Sequence, residues 1–476
     1  MTRLKREDKW RVTLTKEGKM QKEARIFASD KILIDEKAVE QLKNAASLPS
    51  VTHALATPDI HTGYGVPIGA VVATRDIVVP AAVGYDINCG MRLISTPFSP
   101  EKLDLQMLAR EIARLIPLGE GKHNVTMRNK ELRRLLDGGM EAYLETDFGD
   151  RTLRRARVDE EEEQDRLHME NCGWIEASTN AVSRKAIDRG SSQLGTLGGG
   201  NHFIEFQLVQ EVYRQDIAHS FGLRAGQVAV MIHSGSRGMG HEVGGYYMQM
   251  AKARTRATSP SAELCYLDAD SKDGKDFLKA MGAAANFAFL NRQVMGAYVR
   301  HAIRQAYGDV PLPLIYDVTH NMVKREKHGK NLLWVHRKGA TRAFPASRMQ
   351  NTPFAQTGQP VLIPGSMGTA SYVLVGTEES SESLHSVNHG AGRVLSRSAA
   401  RGKKGKGKKG PRPAAISDKE FARSMEGVHL VCNSRRTIKE EAPGAYKDID
   451  AVISVVKGAG LALPVVRLCP LAVLKG

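Results

Sequence analysis

Five short polar segments, far apart in the chain, carry the residue types that metal and phosphate chemistry require. They are residues 84–90 (GYDINCG), 198–202 (GGGNH), 233–238 (HSGSRG), 317–321 (DVTHN) and 388–393 (NHGAGR). One carboxylate, one thiol and three imidazoles form a ligand set for one or two transition metals, namely Asp86, Cys89, His202, His233 and His320. A fourth histidine, His389, lies between small residues and an arginine, which suits a nucleophile that attacks phosphorus.

The spacing of Asp86 and Cys89 allows both side chains to bind one metal ion. They lie three residues apart in a turn flanked by glycine, and a thiolate can also bridge two ions. The three histidines could complete two sites, although any one of them alone is typical of a hydrogen-bonded structural residue. Thiolate and imidazole ligands favour zinc, and manganese has the lowest affinity in the Irving–Williams order, so ligand chemistry leaves the metal open.

Two of these segments carry a resemblance to a known family. Residues 86–90 (DINCG) and 389–393 (HGAGR) together resemble the RtcB family of GTP-dependent RNA ligases, and the likeness runs from about Thr57 to Gly476. That family joins an RNA 3′-phosphate or 2′,3′-cyclic phosphate to a 5′-hydroxyl, in tRNA splicing and RNA repair. The resemblance implies that His389 takes GMP from GTP, that GMP passes to the RNA 3′-phosphate, and that the 5′-hydroxyl then expels GMP.

The resemblance also implies a division of the metal ligands. Asp86, Cys89 and His202 would hold one manganese ion, and Cys89, His233 and His320 would hold the other. The implied cofactors are therefore two Mn²⁺, with zinc as an inhibitor or an alternative.

Further segments match the family's contacts to the guanine nucleotide. Glu205 could accept hydrogen bonds from guanine N1–H and N2–H, and Lys475 could donate to O6 or N7. The glycines beside His389 would let phosphates approach the backbone N–H groups. The full implied set is Asn201, His202, Phe203, Ile204, Glu205, His320, Asn321, Pro364, Gly365, Ser366, Met367, Ser371, His389, Gly390, Ala391, Gly392, Tyr446 and Lys475.

Arginines recur beside the same segments and are candidates to hold the RNA 3′-phosphate. Arginine grips phosphate oxygens with two parallel hydrogen bonds, although each of these residues alone fits an ordinary ion pair equally well. The four are Arg189, Arg237, Arg393 and Arg397. Asp59 and His61 are expected to support the metal ligands or the 5′-hydroxyl end.

The composition favours a soluble protein with a polyanionic partner. The 476 residues include 68 Lys and Arg against 52 Asp and Glu, a formal net charge of +16, and 42% are hydrophobic. Such a basic excess favours nucleic acid, although charge can also serve solubility alone. Five cysteines do not suggest a disulfide framework, and we find neither an apolar signal segment nor a membrane-length apolar stretch. The expected location is the cytoplasm, with no membrane partner.

Local patterns predict a mixed α/β (α+β) fold, with ligands at strand ends and in glycine-rich loops. Residues 227–232, 312–318, 360–363 and 371–375 are predicted strands. A helix is predicted after Ser99, which would cap it, and another over residues 276–306 with one break or bend near Gly282. The charged residues 151–165 are interpreted as a solvated helix face. Because no linker divides the segments, we expect one intertwined catalytic domain over residues 1–476.

Residues 401–412 (RGKKGKGKKGPR) are a basic low-complexity segment. Seven basic residues and no acid, with repeated glycine, predict a flexible insertion over residues 398–415. A tether for RNA phosphates and a solvated insertion fit this composition equally well. The segment departs from the family pattern, in which it is shorter or less basic.

Two other functions compete with the ligase. A metal-dependent phosphoesterase or nuclease would use the same metals without GTP, and it would form no covalent protein–GMP species. An RNA-binding protein with a structural zinc site would show no turnover, but the potential ligands outnumber the four that a closed site needs. An archease-like activator is a further expected partner of the ligase.

Overall fold

The chain forms both helices and large sheets, which confirms the predicted mixed α/β fold. The computed structural model describes residues 4–402, 413–434 and 437–476. The strands are β1 (Leu4–Arg6), β2 (Arg11–Leu14), β3 (Ala24–Phe27), β4 (Val51–His61), β5 (Ile68–Thr74), β6 (Ile77–Val78), β7 (Gly90–Ser95), β8 (Phe203–Val212), β9 (Val228–Ser234), β10 (Leu267–Asp268), β11 (Leu314–Thr319), β12 (Asn321–His328), β13 (Asn331–Lys338), β14 (Ala340–Arg342), β15 (Pro360–Ile363), β16 (Ser371–Gly376), β17 (Ser386–Asn388), β18 (His429–Cys432) and β19 (Ala462–Lys475). The helices are α1 (Glu36–Ala45), α2 (Leu105–Leu115), α3 (Asn129–Leu144), α4 (Arg151–Ala156), α5 (Asp159–Leu167), α6 (Arg184–Gly190), α7 (Gln215–Ser220), α8 (Arg237–Thr255), α9 (Lys272–Tyr307), α10 (Arg397–Arg401), α11 (Asp418–Ser424) and α12 (Ile449–Gly458).

The described strands form two large sheets and two short ribbons. The first sheet has the order β1-β2-β3-β4-β5-β13-β12, and the second has the order β11-β7-β9-β8-β19-β16-β15 with β18 beside β19. The ribbons pair β6 with β10 and β14 with β17. In both large sheets most neighbouring strands are antiparallel, while β3–β4 and β18–β19 are parallel. The second sheet is central to the site because its strands carry four of the five polar segments.

All four predicted strands are present, with small shifts at their ends. The strand predicted over residues 227–232 is β9, which extends through His233, so this histidine lies within the strand. The strand predicted over residues 312–318 is β11, and His320 follows its end. Residues 360–363 are β15, and residues 371–375 lie in β16.

The two predicted helices are present, but the capping residue of the first and the course of the second differ from the predictions. Ser99 precedes a short 3₁₀ turn, and the helix α2 is instead capped by the Asp104 side chain, which accepts from the Met107 backbone N–H at 2.9 Å. The helix α9 runs for 36 residues without the predicted bend at Gly282. A Cβ atom there would lie 2.1 Å from the carbonyl oxygen of Glu176. Gly282 therefore allows a neighbouring loop to pack on the helix, and the prediction of a bend was wrong.

The prediction of a solvated helix face for residues 151–165 was wrong at two acids. Glu162 and Asp165 are only 1% and 2% exposed. Asp165 accepts two hydrogen bonds from the Arg300 guanidinium, at 2.6 and 2.8 Å, and Glu162 accepts from Arg157 at 2.8 Å. The charged stretch therefore supplies buried carboxylates to two arginines, Arg157 of the same stretch and Arg300 of helix α9.

Removing the buried Asp165 carboxylate is expected to destabilise the fold strongly. Asp165→Ala should lower the free energy of unfolding by about 3–5 kcal/mol, because Arg300 would keep a buried charge without its partner. Glu163→Ala on the same helix is the matched control. It removes an exposed pair with Arg166 and should cost at most about 1 kcal/mol. Urea denaturation followed by circular dichroism measures the free energy of unfolding of both variants. Equal losses in the two variants would contradict a stabilising role of the buried pair.

The structure does not test the predicted basic insertion over most of its length, nor the predicted single domain. Residues 403–412, most of the basic segment, lie outside the described residues, and the extent of a single domain stays a prediction. In the part of the chain that the structure describes, no helix combines the length and the apolarity that crossing a membrane requires.

Candidate functional site

One edge of the second sheet gathers the segments that the sequence analysis singled out. Strand register places Gly90 beside Thr319, the next residue Met91 beside His233, and His233 beside Phe203. Lys475 pairs with Phe203 on the next strand. The predicted ligands Cys89, His202 and His320 directly adjoin this row, so antiparallel pairing brings residues together from five distant parts of the chain.

A thiol and three imidazoles face one another at this edge. The sulfur of Cys89 lies 3.3 Å from Nε2 of His202 and 3.2 Å from Nε2 of His233. Nε2 of His233 lies 3.3 Å from Nε2 of His320. Asp86 completes the cluster, with Oδ2 at 2.9 Å from Nε2 of His202. These atoms form two overlapping groups that can each hold a metal ion, Asp86–Cys89–His202 and Cys89–His233–His320.

The protonation of the cluster fits metal binding. The carbonyl oxygen of Asn201 can only accept, so Nδ1 of His233, at 3.0 Å, carries the proton and Nε2 keeps a free lone pair. Burial lowers the pKa of His233 and of His320 well below its usual value, and both imidazoles are neutral, as a ligand must be. Burial and the nearby Asp86 raise the pKa of the Cys89 thiol, and a metal would displace its proton.

A buried arginine fixes the turn that carries Cys89. Arg292 is fully buried and pairs with Asp317, with Nη2 at 2.7 Å from Oδ1. Its Nη1 donates to the carbonyl oxygens of Asn88, at 2.8 Å, and Ser234, at 3.0 Å. Asn88 adopts a left-handed backbone conformation, with φ of 53°, directly before Cys89. Asp317, from the polar segment 317–321, therefore acts on the cluster indirectly, through this arginine.

His389 is held by a buried carboxylate from the first sheet. Oδ2 of Asp59 accepts from Nδ1 of His389 at 2.7 Å and from its backbone N–H at 3.2 Å. Burial alone would raise the pKa of Asp59, but the hydrogen bond from His389 holds it below its usual value. Gly392, with φ of 78°, lets the following loop pack on Asp59, because a Cβ there would lie 2.3 Å from the Asp59 carbonyl oxygen.

This hydrogen bond decides which nitrogen of His389 is reactive. Since Nδ1 donates to Asp59, Nε2 carries the free lone pair. The ring of His389 lies 4.9 Å, centre to centre, from the ring of His320, beside the metal-ligand cluster. The geometry therefore offers an oriented nucleophile next to a group of metal ligands.

A cavity of about 660 Å³ opens above the cluster and His389. This volume lies within the range of about 300–1,000 Å³ that small-molecule sites occupy. It is lined by predicted residues that include Asp86, Cys89, Asn201, Phe203, Glu205, His233, His320, Asn321, Pro364, Gly365, Ser366, Met367, His389, Gly390, Ala391, Gly392, Arg393, Arg397, Tyr446 and Lys475. Most of the predicted nucleotide contacts therefore share one cavity with the metal ligands.

The far end of the cavity combines a buried acid and a buried lysine. Burial raises the pKa of Glu205 to about 7, although Lys475 opposes the shift. Oε2 of Glu205 accepts from Nε2 of Gln207 at 2.8 Å. Nζ of Lys475 donates to the carbonyl oxygen of Gly200 at 2.9 Å. An acceptor and a donor at one end of a cavity can read the edge of a purine base.

Three predicted nucleotide contacts do not line this cavity. Ile204 is fully buried beneath it, and Ser371 accepts from the backbone N–H of Gly365, which does line it. His202 faces a second cavity on the other side of the metal cluster.

The four candidate phosphate arginines are divided between the two cavities. Arg189 and Arg237 line the second cavity, Arg393 lines the first, and Arg397 lines both. Arg393 is largely occupied, since it donates to the carbonyl oxygen of Glu440 and to the Tyr446 hydroxyl, the latter at 3.0 Å. Arg397 is 54% exposed and is better placed to meet a substrate.

Sequence reasoning missed Glu441, a buried acid of the first cavity. Its carboxylate is 4% exposed, pairs with Arg393 at 3.2 Å and lies 3.9 Å from Nζ of Lys475. The Tyr446 hydroxyl also donates to it. Its local sequence, Lys-Glu-Glu-Ala, carries no signal of burial, and only the fold shows its partners.

An oriented histidine and a cluster able to hold two metal ions, in one cavity of nucleotide size, define a candidate centre for metal-assisted phosphoryl chemistry. The sequence pattern of the family described as tRNA-splicing ligase RtcB matches residues 41–476. The chain belongs to the RtcB family.

Curated relatives match over the length of the chain. The tRNA-splicing ligase RtcB of Nanoarchaeum equitans is 40% identical, with 100% of this chain and 99% of that protein covered. The tRNA-splicing ligase RtcB of Thermococcus kodakarensis is also 40% identical, with the same coverage. The tRNA-splicing ligase RtcB of Archaeoglobus fulgidus is 38% identical, covering 98% of this chain and 97% of that protein.

Proposed function

We propose that this chain is a GTP-dependent RNA ligase that joins RNA 3′-phosphate or 2′,3′-cyclic phosphate ends to 5′-hydroxyl ends. The observation that carries the proposal is the Asp59–His389 pair, which presents a free imidazole nitrogen to the same cavity as the metal-ligand cluster. Membership of a family of tRNA-splicing ligases supports tRNA splicing or RNA repair as the task.

The first step assigns His389 as the nucleophile. Nε2 attacks the α-phosphorus of GTP, a nitrogen–phosphorus bond forms, and the bond to pyrophosphate breaks. Positive charge develops on the imidazole during this attack. The Asp59 carboxylate, hydrogen-bonded to Nδ1, stabilises that charge and keeps the ring oriented.

The later steps move GMP onto RNA. At a 2′,3′-cyclic phosphate end, water first breaks the bond from phosphorus to O2′ and leaves a 3′-phosphate. An oxygen of the RNA 3′-phosphate then attacks the phosphorus of His389-bound GMP, and the imidazole leaves. The 5′-hydroxyl then attacks the activated 3′-phosphate and expels GMP. Arg397 borders both cavities, so it is placed to hold phosphate oxygens during this exchange.

Two divalent ions, proposed to be Mn²⁺, would bind the cluster of Asp86, Cys89, His202, His233 and His320. Such ions neutralise charge on a transferring phosphoryl group. The protein contributes neutral imidazoles and a turn fixed by Arg292, so its ligands need little rearrangement to bind them.

The decisive experiment separates the ligase from the alternatives. Purified protein is incubated with Mn²⁺, GTP and two RNA oligonucleotides, one ending in a 3′-phosphate and one beginning with a 5′-hydroxyl. The ligase should join them only when GTP is present. Cleavage or dephosphorylation without GTP would identify a phosphoesterase or nuclease, and binding without turnover would identify an RNA-binding protein.

Guanine selectivity is expected to depend on Glu205. Glu205→Gln should reduce kcat/KM for GTP by roughly 10- to 100-fold, because leaving a polar group of the base unpaired costs about 1–3 kcal/mol. The loss in kcat/KM for ATP should be much smaller, so the ratio of kcat/KM for GTP to that for ATP should fall.

The matched control is Glu211→Gln on the same strand, where the acid is exposed and outside both cavities. Label transfer from α-labelled GTP and ATP measures both variants. Equal use of the two nucleotides by the unmodified protein would contradict base reading by Glu205 and Lys475.

A further inference from the structure

The second cavity lies across the metal-ligand cluster from the nucleotide cavity. Its volume is about 1110 Å³, and Asp86, Asn201 and Arg397 line both cavities. If the end of a linear polymer reached the metal ligands through the second cavity, that end would therefore adjoin the nucleotide cavity.

The wall of the second cavity is rich in cationic side chains. Arg184, Lys185 and Arg189 come from helix α6, and Arg237 from the start of α8. The ion pairs of Lys185 and Arg189 with Glu242 are weak in solution, because these two side chains are 72% and 47% exposed. A phosphate backbone can displace such exposed pairs, so the wall suits a polyanion.

The same cavity presents aromatic rings to solvent. Tyr85 directly precedes Asp86 and is 38% exposed. Its ring is stacked on the ring of His241, with centres 4.7 Å apart and planes inclined by 18°. Tyr64, 37% exposed, lies outside the lining of this cavity, and its ring centre is 6.0 Å from that of Tyr85. His241 and Arg237 both line this cavity, so an imidazole ring and a guanidinium border the same space.

We propose that the Tyr85–His241 pair is a stacking platform for the terminal base of an RNA strand, beside a wall that holds its phosphates. Exposed aromatic rings next to a basic groove are the recognition elements of proteins that bind single strands without reading their sequence. A flat platform accepts any base, which suits an enzyme that joins ends of varied sequence. This inference rests on the proposed function for its substrate, but binding to the platform can be measured without ligation.

The binding test uses RNA oligonucleotides with the fluorescent base 2-aminopurine at one end. One probe has it as the first nucleotide after a 5′-hydroxyl, and the other has it as the last nucleotide before a 3′-phosphate. Stacking on Tyr85 should quench the fluorescence of the probe whose end the platform holds. Tyr85→Ala should remove the quenching and weaken binding by roughly 5- to 100-fold, whereas Tyr85→Phe should retain both.

An abasic terminal nucleotide distinguishes stacking from a structural role. Tyr85→Ala should weaken binding of the intact strand much more than binding of the strand that lacks its terminal base. A structural defect beside Asp86 would weaken both equally, and this result would overturn the proposal. Tyr246→Ala is the matched control, because this tyrosine of α8 is 50% exposed but does not line the cavity.

The outcomes separate the platform from the proposed function. If quenching depends on Tyr85 but the protein never joins RNA ends, the proposal of a stacking platform is kept and the proposal of a ligase is rejected. If the protein joins RNA ends but quenches neither probe, and Tyr85→Ala binds RNA with unchanged affinity, the proposal of a ligase is kept and the proposal of a platform is rejected. The probe that is quenched identifies which of the two RNA ends the platform holds.

Discussion

Replacing His389 with alanine is expected to abolish covalent labelling of the protein by α-labelled GTP. The rate should fall by a factor on the order of 10⁴ or more, because His389 is the only imidazole among the described lining residues whose Nδ1 donates to a buried carboxylate. The label on the unmodified protein should be lost in acid, as expected for a nitrogen–phosphorus bond. Denaturing electrophoresis after incubation with Mn²⁺ and labelled GTP measures this.

Asp59→Asn tests the orientation of the same histidine. Its amide can donate to Nδ1 and select the wrong tautomer, so labelling should slow by on the order of 10²- to 10⁴-fold without vanishing. His301→Ala is the control, since this histidine of α9 lines neither cavity. Persistent labelling in His389→Ala would assign the nucleophile to another residue.

Replacing Cys89 with alanine is expected to remove bound metal and ligation together. Its sulfur belongs to both groups of candidate ligands, so one substitution should weaken the binding of two ions at once. Loss of a residue that only supports a ligand costs about 10- to 100-fold in metal affinity, and loss of a direct, shared ligand should cost more. Elemental analysis after dialysis, together with titration by a chelator, measures both ions.

Cys89→Ser should fail as well, because a hydroxyl is much harder to deprotonate than a thiol with an ordinary pKa near 8.5. Cys265→Ala is the matched control, since Cys265 is also buried but belongs to neither ligand group. Two ions retained by Cys89→Ala would show that the thiolate does not bridge them.

Local sequence predicted four of the strands and the ligand types, but not the contacts between the two sheets. The runs before His233 and His320 have the apolar character of buried strands, and their polar ends marked the site. Asp59 and His389 are 330 residues apart, and nothing in either segment indicates that a hydrogen bond joins them. Such pairs depend on how the sheets pack, which residue periodicity does not encode.

The wrong predictions share a physical cause. Gly282 was interpreted as a helix bend because glycine weakens helices, yet here it makes room for a carbonyl group of a neighbouring loop. Asp165 was interpreted as solvated because acids usually are, yet distant arginines make its burial favourable. In both cases a tertiary partner overrode the ordinary preference of the residue type.

The position of β19 within the second sheet has a consequence for biosynthesis. It pairs with β8 on one side and β16 on the other, although about 250 residues separate the end of β8 from its start. At a translation rate of about 5–20 residues per second, β8 would wait roughly 10–50 s on the ribosome for its neighbour. During that interval its unpaired edge is open to association with other chains, which makes the nascent protein a natural client for chaperones.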